Sequence, residues 1–136
     1  MDNQNYVLKQ AGDEPNRRHI LVIDDDVNML KTLRLYLQDA YKVTVISSGK
    51  AAVDFLLKYT PDLILLDYMM PMFNGTAVFK IIKSREATKD IPVYFLTGQT
   101  DKATVMECLA LKPAGYIVKP IAKDALLEKM AMALAK

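Results

Sequence analysis

Four short apolar runs in this sequence each end in residues able to handle charge. Residues 20–23 run into Asp24, Asp25 and Asp26, and residues 63–66 into Asp67. Residues 93–96 run into Thr97, and residues 116–118 into Lys119 and Pro120. Carboxylates drawn together raise one another's pKa unless a cation sits among them. Asp24, Asp25 and Asp67 offer only oxygen, which suits a hard divalent ion. Mg2+ fits better than Ca2+, because a few carboxylates with water positions left over match an ion that shares its shell with a phosphate group. Lys119 would add a second positive charge from the other side, and Thr97 a hydroxyl. Taken singly, each residue has a plainer explanation. Asp25 or Asp26 could be a helix N-cap, Thr97 a turn residue and Lys119 a surface lysine. Their weight comes from recurring together at the ends of four apolar runs.

Placing such residues at one site requires strands with helices between them. The strand candidates are residues 20–23, 43–46, 63–66, 93–96 and 116–118, short and mostly β-branched, aromatic or Leu-rich. The first, third and fourth are almost continuously apolar, as strands covered on both faces should be. Helical spacing fills the intervals. The first helix spans about 27–40, with Met29, Leu30, Leu33, Leu37 and Ala40 on one stripe. The second carries Ala52, Val53, Leu56 and Leu57, and the third Val78, Ile81 and Ile82. The fourth carries Val105, Met106 and Leu109, and the fifth Leu126, Leu127, Met130, Ala131 and Leu134. Five such units predict an α/β fold: a flavodoxin-like, doubly wound, five-stranded parallel sheet in the order 2-1-3-4-5 with five helices. That order reverses between strands one and three, and ligands bind beyond the carboxyl ends of the strands at such a point. No Gly-rich dinucleotide fingerprint follows strand one, and no GxxxxGK[ST] occurs. A phosphate here would be held by metal, Lys119 and Thr97 instead of a backbone cradle.

The chain of 136 residues, 51% hydrophobic, is sized for one packed domain. Its 18 Lys and Arg against 16 Asp and Glu leave a charge of +2 with no basic run, so direct nucleic acid binding is not expected. The single Cys excludes an internal disulfide and a Cys-based zinc site, and fits a reducing cytosol. Residues 1–10 lack the apolar stretch of a signal peptide, and no run approaches a membrane span. A cytoplasmic location without membrane association is expected. Residues 1–17 read as a polar tail carrying Gly12 and Pro15, and residues 18–136 as the domain.

The motifs Leu21-Val22-Ile23-Asp24-Asp25-Asp26, Leu65-Leu66-Asp67-Tyr68-Met69-Met70-Pro71, Asn74-Gly75, Leu96-Thr97-Gly98 and Tyr116-Ile117-Val118-Lys119-Pro120 occur in that order. Together they resemble the receiver domain of bacterial response regulators, over roughly residues 18–136, and in particular the single-domain chemotaxis-type regulators. The resemblance implies a phosphoacceptor of a two-component phosphorelay that assists only its own phosphorylation and dephosphorylation. Asp67 would take the phosphoryl group from a histidine kinase or histidine phosphotransfer protein. Asp25 and Asp67 would ligate Mg2+ together with the main-chain carbonyl of Met69, with Asp24 acting mostly through water. Lys119 would pair with Asp67 and then with the phosphoryl group, whose oxygen Thr97 would hydrogen-bond. Tyr116 would turn inward as Thr97 moves, reshaping the face of helix four, strand five and helix five for a downstream protein that the sequence does not name. The Lys119–Pro120 bond would be cis, which a proline permits. The side chains of Met69 and Gln99 would set how long the phosphate lasts.

The chain departs from the family pattern at Lys112, where many receivers have Gly at the end of helix four, and at Ile121, where an aromatic is common. Two alternatives stand beside this reading. An aspartyl-phosphate phosphatase of the haloacid dehalogenase type would need Thr or Val where Asn28 stands, and a cap domain for which there is no room. A degenerate, purely protein-binding receiver would not keep all of Asp24, Asp25, Asp67, Thr97 and Lys119. A stand-alone receiver or a piece of a longer regulator or hybrid kinase would both fit. His19 reads as a strand-edge residue and Cys108 as a small core or surface residue. Asn74-Gly75 reads as a turn that only starts helix three.

Overall fold

Strand alternation explains the layering. In β1 (His19–Ile23) everything after His19 is buried. Ile20 and Val22 point into one core, and Leu21 and Ile23 into the other. Burying one such Leu or Ile side chain is worth about 1.5–3 kcal/mol. The same two-sided burial runs through β3 (Leu63–Asp67) and nearly all of β4 (Val93–Thr97), while β2 (Lys42–Ile46) and β5 (Gly115–Val118) are more open. The computed structural model describes residues 17–70, 73–98 and 102–135. Its helices are α1 (Val27–Leu37), α2 (Gly49–Leu56), α3 (Gly75–Ser84), α4 (Lys102–Ala110) and α5 (Lys123–Ala133). All strand pairs are parallel and the order is β2-β1-β3-β4-β5, the flavodoxin-like order expected.

One core joins α2, α3 and α4 to the sheet through Ala52, Leu56, Val78, Phe79, Ile82 and Cys108. The other joins α1 and α5 through Leu30, Leu33, Leu37, Leu126, Met130 and Leu134. Several details differ from the sequence-based expectation. The strands run one residue further than the apolar runs: Asp67 and Thr97 are the last residues of β3 and β4, in register with Leu96 and Val118. The first helix stops at Leu37, because the Ala40 and Tyr41 amides both return to the Leu37 carbonyl and close a turn, leaving Ala40 exposed. On α4 the expected stripe is wrong. Met106 and Leu109 are 59% and 49% exposed, and Cys108 is the buried residue. Apolar side chains lie all round this helix, so spacing alone does not choose a face. Leu57 caps α2 and is exposed, and Phe79 joins Val78 and Ile82 inside α3.

The polar tail expected over 1–17 lies outside the described residues except for Arg17, whose guanidinium donates to the Asp39 carbonyl. Lys112, at the end of α4, adopts φ 58, the left-handed conformation for which Gly is the usual choice. His19 is a strand-end residue whose ring meets the Thr44 hydroxyl at 2.8 Å. Among the described residues, no helix is long and apolar enough to cross a membrane.

Candidate functional site

Three backbone bonds carry the sheet ladder one step past its strands and so aim the residues beyond. The Asp24 amide donates to the Ile46 carbonyl at 3.1 Å, Tyr68 to Leu96 at 2.8 Å and Lys119 to Thr97 at 2.8 Å. The result is a cluster at the β1/β3 switch point. Carboxylate oxygens of Asp24, Asp25 and Asp67 all lie within 4.8 Å of one another. Asp24 and Asp67 are buried and Asp25 is exposed.

Each acid has a distinct job in the local structure. Asp24 accepts the Asp26 amide at 2.9 Å on one oxygen and the Lys119 ammonium at 3.1 Å on the other. Asp26 caps α1, accepting from Asn28 at 3.0 Å and Met29 at 3.3 Å. Of the two cap candidates, Asp26 is therefore the one used, and Asp25 is uncommitted to the cap. Asp67 Oδ1 accepts Lys119 Nζ and the Met69 amide, at 3.4 and 3.3 Å. The Lys119–Pro120 peptide is cis. Thr97, 2% exposed, stands at the same sheet edge on the next strand. By alternation it continues the row of Val93 and Phe95, the row Tyr116 joins opposite Phe95. Tyr116 is half-buried and packs against that core. Met69 is 62% exposed beside the cluster, and Gln99 lies outside the described residues.

The electrostatics are unbalanced. Among the described residues, three clustered carboxylates share the Lys119 ammonium. Burial, the Asp24 charge and a hydrogen bond with Asp25 push the Asp67 carboxyl up to about 7, against the pull of Lys119. Burial acts to lower Lys119, but its hydrogen bond to Asp24 and the charges of Asp67 and Asp24 outweigh it and raise the ammonium pKa. Such a pocket is short of positive charge. Its all-oxygen donor set, partly open to solvent at Asp25, suits a hard divalent cation.

Two contacts escaped the sequence. Asn74 caps α3 by accepting the Ala77 amide at 3.0 Å, as the turn reading implied. Gly75 does more than start the helix: a Cβ there would collide with the Asp67 carbonyl oxygen, so only Gly lets α3 sit against the end of β3. The Asn-Gly pair could have signalled this close approach. Tyr68, buried directly after Asp67, donates its hydroxyl to Glu107 on α4 at 3.0 Å. Burial and that partner raise the phenol pKa. No local pattern announces a contact spanning 39 residues. A cleft of about 260 Å³ also opens beside Asp25, between Ser47, Lys50, Met70 and Phe73.

Comparison with known proteins agrees on one family. Residues 20–131 match the family described as the response regulator receiver domain. A Vibrio cholerae protein named a probable cyclic di-GMP phosphodiesterase is 34% identical over 117 residues, which cover 86% of this chain and 26% of that protein. The DNA-binding response regulator MtrA of Mycobacterium tuberculosis is 32% identical over 115 residues, covering 84% of this chain and 49% of MtrA. The chain thus spans about half or less of the curated relatives it matches. The structure of the Vibrio cholerae chemotaxis response regulator CheY4 superposes with a TM-score of 0.81 at 27% identity, covering 88% of this chain and all of that one, 100%.

Proposed function

The chain belongs to the response regulator receiver domain family of two-component systems, and from that membership we propose that it is a phosphoacceptor in which Asp67 takes a phosphoryl group with Mg2+ bound beside it. Receiver domains are signalling phosphoacceptors, in general not enzymes, and they bind Mg2+ at an acidic site. The observation that carries the proposal is the clustering of Asp24, Asp25 and Asp67 within 4.8 Å, with Lys119 in reach of Asp24 and Asp67.

The donor is a histidine kinase or histidine phosphotransfer protein. An Asp67 carboxylate oxygen forms the new bond to phosphorus, and the bond from phosphorus to the donor imidazole nitrogen breaks. The leaving nitrogen keeps the electron pair of that bond, and the imidazole departs neutral, with the proton already on its other ring nitrogen. A carboxylate is a competent nucleophile here because phosphoryl transfer asks mainly for in-line positioning and charge stabilisation. The ladder past β3 supplies the positioning. Asp25, Asp67 and the Met69 carbonyl would hold Mg2+, with Asp24 supporting through water. Bound there, the ion would supply positive charge that keeps the carboxylates ionised and screens the incoming phosphoryl oxygens. Lys119 then transfers its contact from Asp67 to the phosphoryl group, and Thr97 hydrogen-bonds a phosphoryl oxygen. Thr97 and Tyr116 share one face of the sheet, which supports their coupling and a change at the surface of α4, β5 and α5. A phosphoryl group biases that change by binding one arrangement better. The output protein reads that surface, and the cytoplasm is the proposed setting. The tail is proposed to end near residue 17, and Gln99 joins Met69 in tuning the lifetime.

Intact-mass spectra after incubation with acetyl phosphate test the assignment. One added phosphoryl mass should appear with Mg2+, little without it, and none in Asp67→Asn. An Asp67→Asn protein that gains the same mass at the same rate would overturn it.

A further inference from the structure

Tyr68 is bound on both sides of its side chain. Its ring stands edge-on to Phe95 with centroids 5.2 Å apart, and its hydroxyl donates to Glu107 at 3.0 Å. The peptide it belongs to is anchored at the site: the Tyr68 amide donates to Leu96, and the next amide, Met69, donates to Asp67 Oδ1. Any rearrangement of the Asp67 carboxylate is therefore felt first by the backbone that carries Tyr68. The far end of that side chain holds α4, a helix whose buried residue is Cys108, next to Glu107 in the chain.

We propose that the Tyr68–Glu107 hydrogen bond is a latch that holds α4 in its unphosphorylated position, making Tyr68 a positioning residue between Asp67 and α4. It rests on the reading of Asp67 as phosphoacceptor and adds a route to α4 separate from Thr97 and Tyr116. Loading Asp67 alters the hydrogen bond from Met69, the 67–69 backbone adjusts, and the Tyr68 hydroxyl moves off Glu107. Met106 and Leu109, exposed on either side of the latch in sequence, move with the helix.

The test uses Tyr68→Phe, Glu107→Ala, both together, and Glu107→Gln, which keeps a carbonyl acceptor. Hydrogen–deuterium exchange of residues 102–110 in the unphosphorylated protein should quicken about fivefold in either single variant, the size of one side-chain hydrogen bond. The double variant should show the same fivefold change in α4 and not its square, because each substitution removes the one Tyr68–Glu107 contact to that helix; the other hydroxyl partner, Thr76, lies on α3. Glu107→Gln should exchange as wild type does. In the same set, beryllofluoride, a phosphoryl mimic, should half-saturate at lower concentration in the unlatched variants. Unchanged α4 exchange in either single variant, additive effects in the double, or unaltered beryllofluoride affinity would overturn the latch. Phosphoryl mass gain in the wild type, measured in parallel, reports on Asp67 alone, so failure of the latch and failure of the phosphoacceptor reading are told apart.

Discussion

Replacing Asp67 by Asn should stabilise the metal-free protein at neutral pH. The Asp67 carboxyl rises from 3.8 in an unstructured chain to about 7 in the fold. Between those values the folded protein holds a proton that the unfolded chain has released. The stability linked to it is present in full below about pH 4 and is lost as the pH climbs through about 7. The two pKa values lie roughly three apart, and at about 1.4 kcal/mol for each step of one that sets a ceiling near 4 kcal/mol. Lys119, at 3.4 Å, shares the charge among the coupled groups, so about 2–3 kcal/mol is expected. At about 4 °C per kcal/mol for a domain of this size, that is about 8–12 °C in melting temperature. Asp67→Asn cannot ionise and avoids the loss. Scanning calorimetry in EDTA from pH 4 to 8 should show the variant ahead by that margin at pH 8 and the gap closing toward pH 4. Millimolar Mg2+ at pH 8 should raise the wild type far more than the variant, since an ion held by the proposed Asp25–Asp67 site would bind the folded wild type. Parallel melting curves at every pH, or a wild type more stable than the variant at pH 8 without metal, would refute the reasoning.

Other outcomes follow from individual side chains. Asp25→Asn should weaken Mg2+ binding, followed by NMR shifts, about tenfold or more, whereas Asp26→Asn should leave it nearly unchanged because Asn also caps α1; equal losses would mean the wrong acid has been assigned to the cap. Met69 is apolar and exposed beside Asp67, so on the proposed reading it would crowd an approaching water without orienting it. Met69→Asn should hasten the first-order loss of phosphate after donor removal, and an unchanged or slower decay would contradict that account. Lys112→Gly should raise the urea midpoint by an amount worth up to about 1 kcal/mol, by relieving the left-handed strain at φ 58 less the extra freedom of Gly in the unfolded chain; a lowered midpoint would show that the Lys side chain outweighs the strain.

The strands were readable because their residues are buried on both faces and leave continuous apolar runs. Asp24, Asp25, Asp67 and Lys119 were readable because charge at the end of such a run has one destination, the sheet edge, and the structure brings these four together. The face of α4 was not, since Ala103, Val105, Met106, Cys108, Leu109 and Ala110 ring the helix and only tertiary packing picks Cys108. Nor was the end of α1, where a turn closed on Leu37 overrides the continuing helical period at Ala40. Gly75 and the Tyr68–Glu107 contact depend on how close separate elements come, a quantity that a local pattern does not encode.

β5 is an edge strand, and the helices on either side of it are rooted in different cores: α4 through Cys108 in one, α5 through Leu126 and Met130 in the other. The proposed output rim of α4, β5 and α5 would therefore act as a pair of jaws on either side of the last strand. Displacing α4 changes the gap between the jaws while α5 keeps its seat beneath α1. A partner that gripped both jaws would measure a width, and it would discriminate two arrangements of α4 without any residue on the rim changing its chemistry.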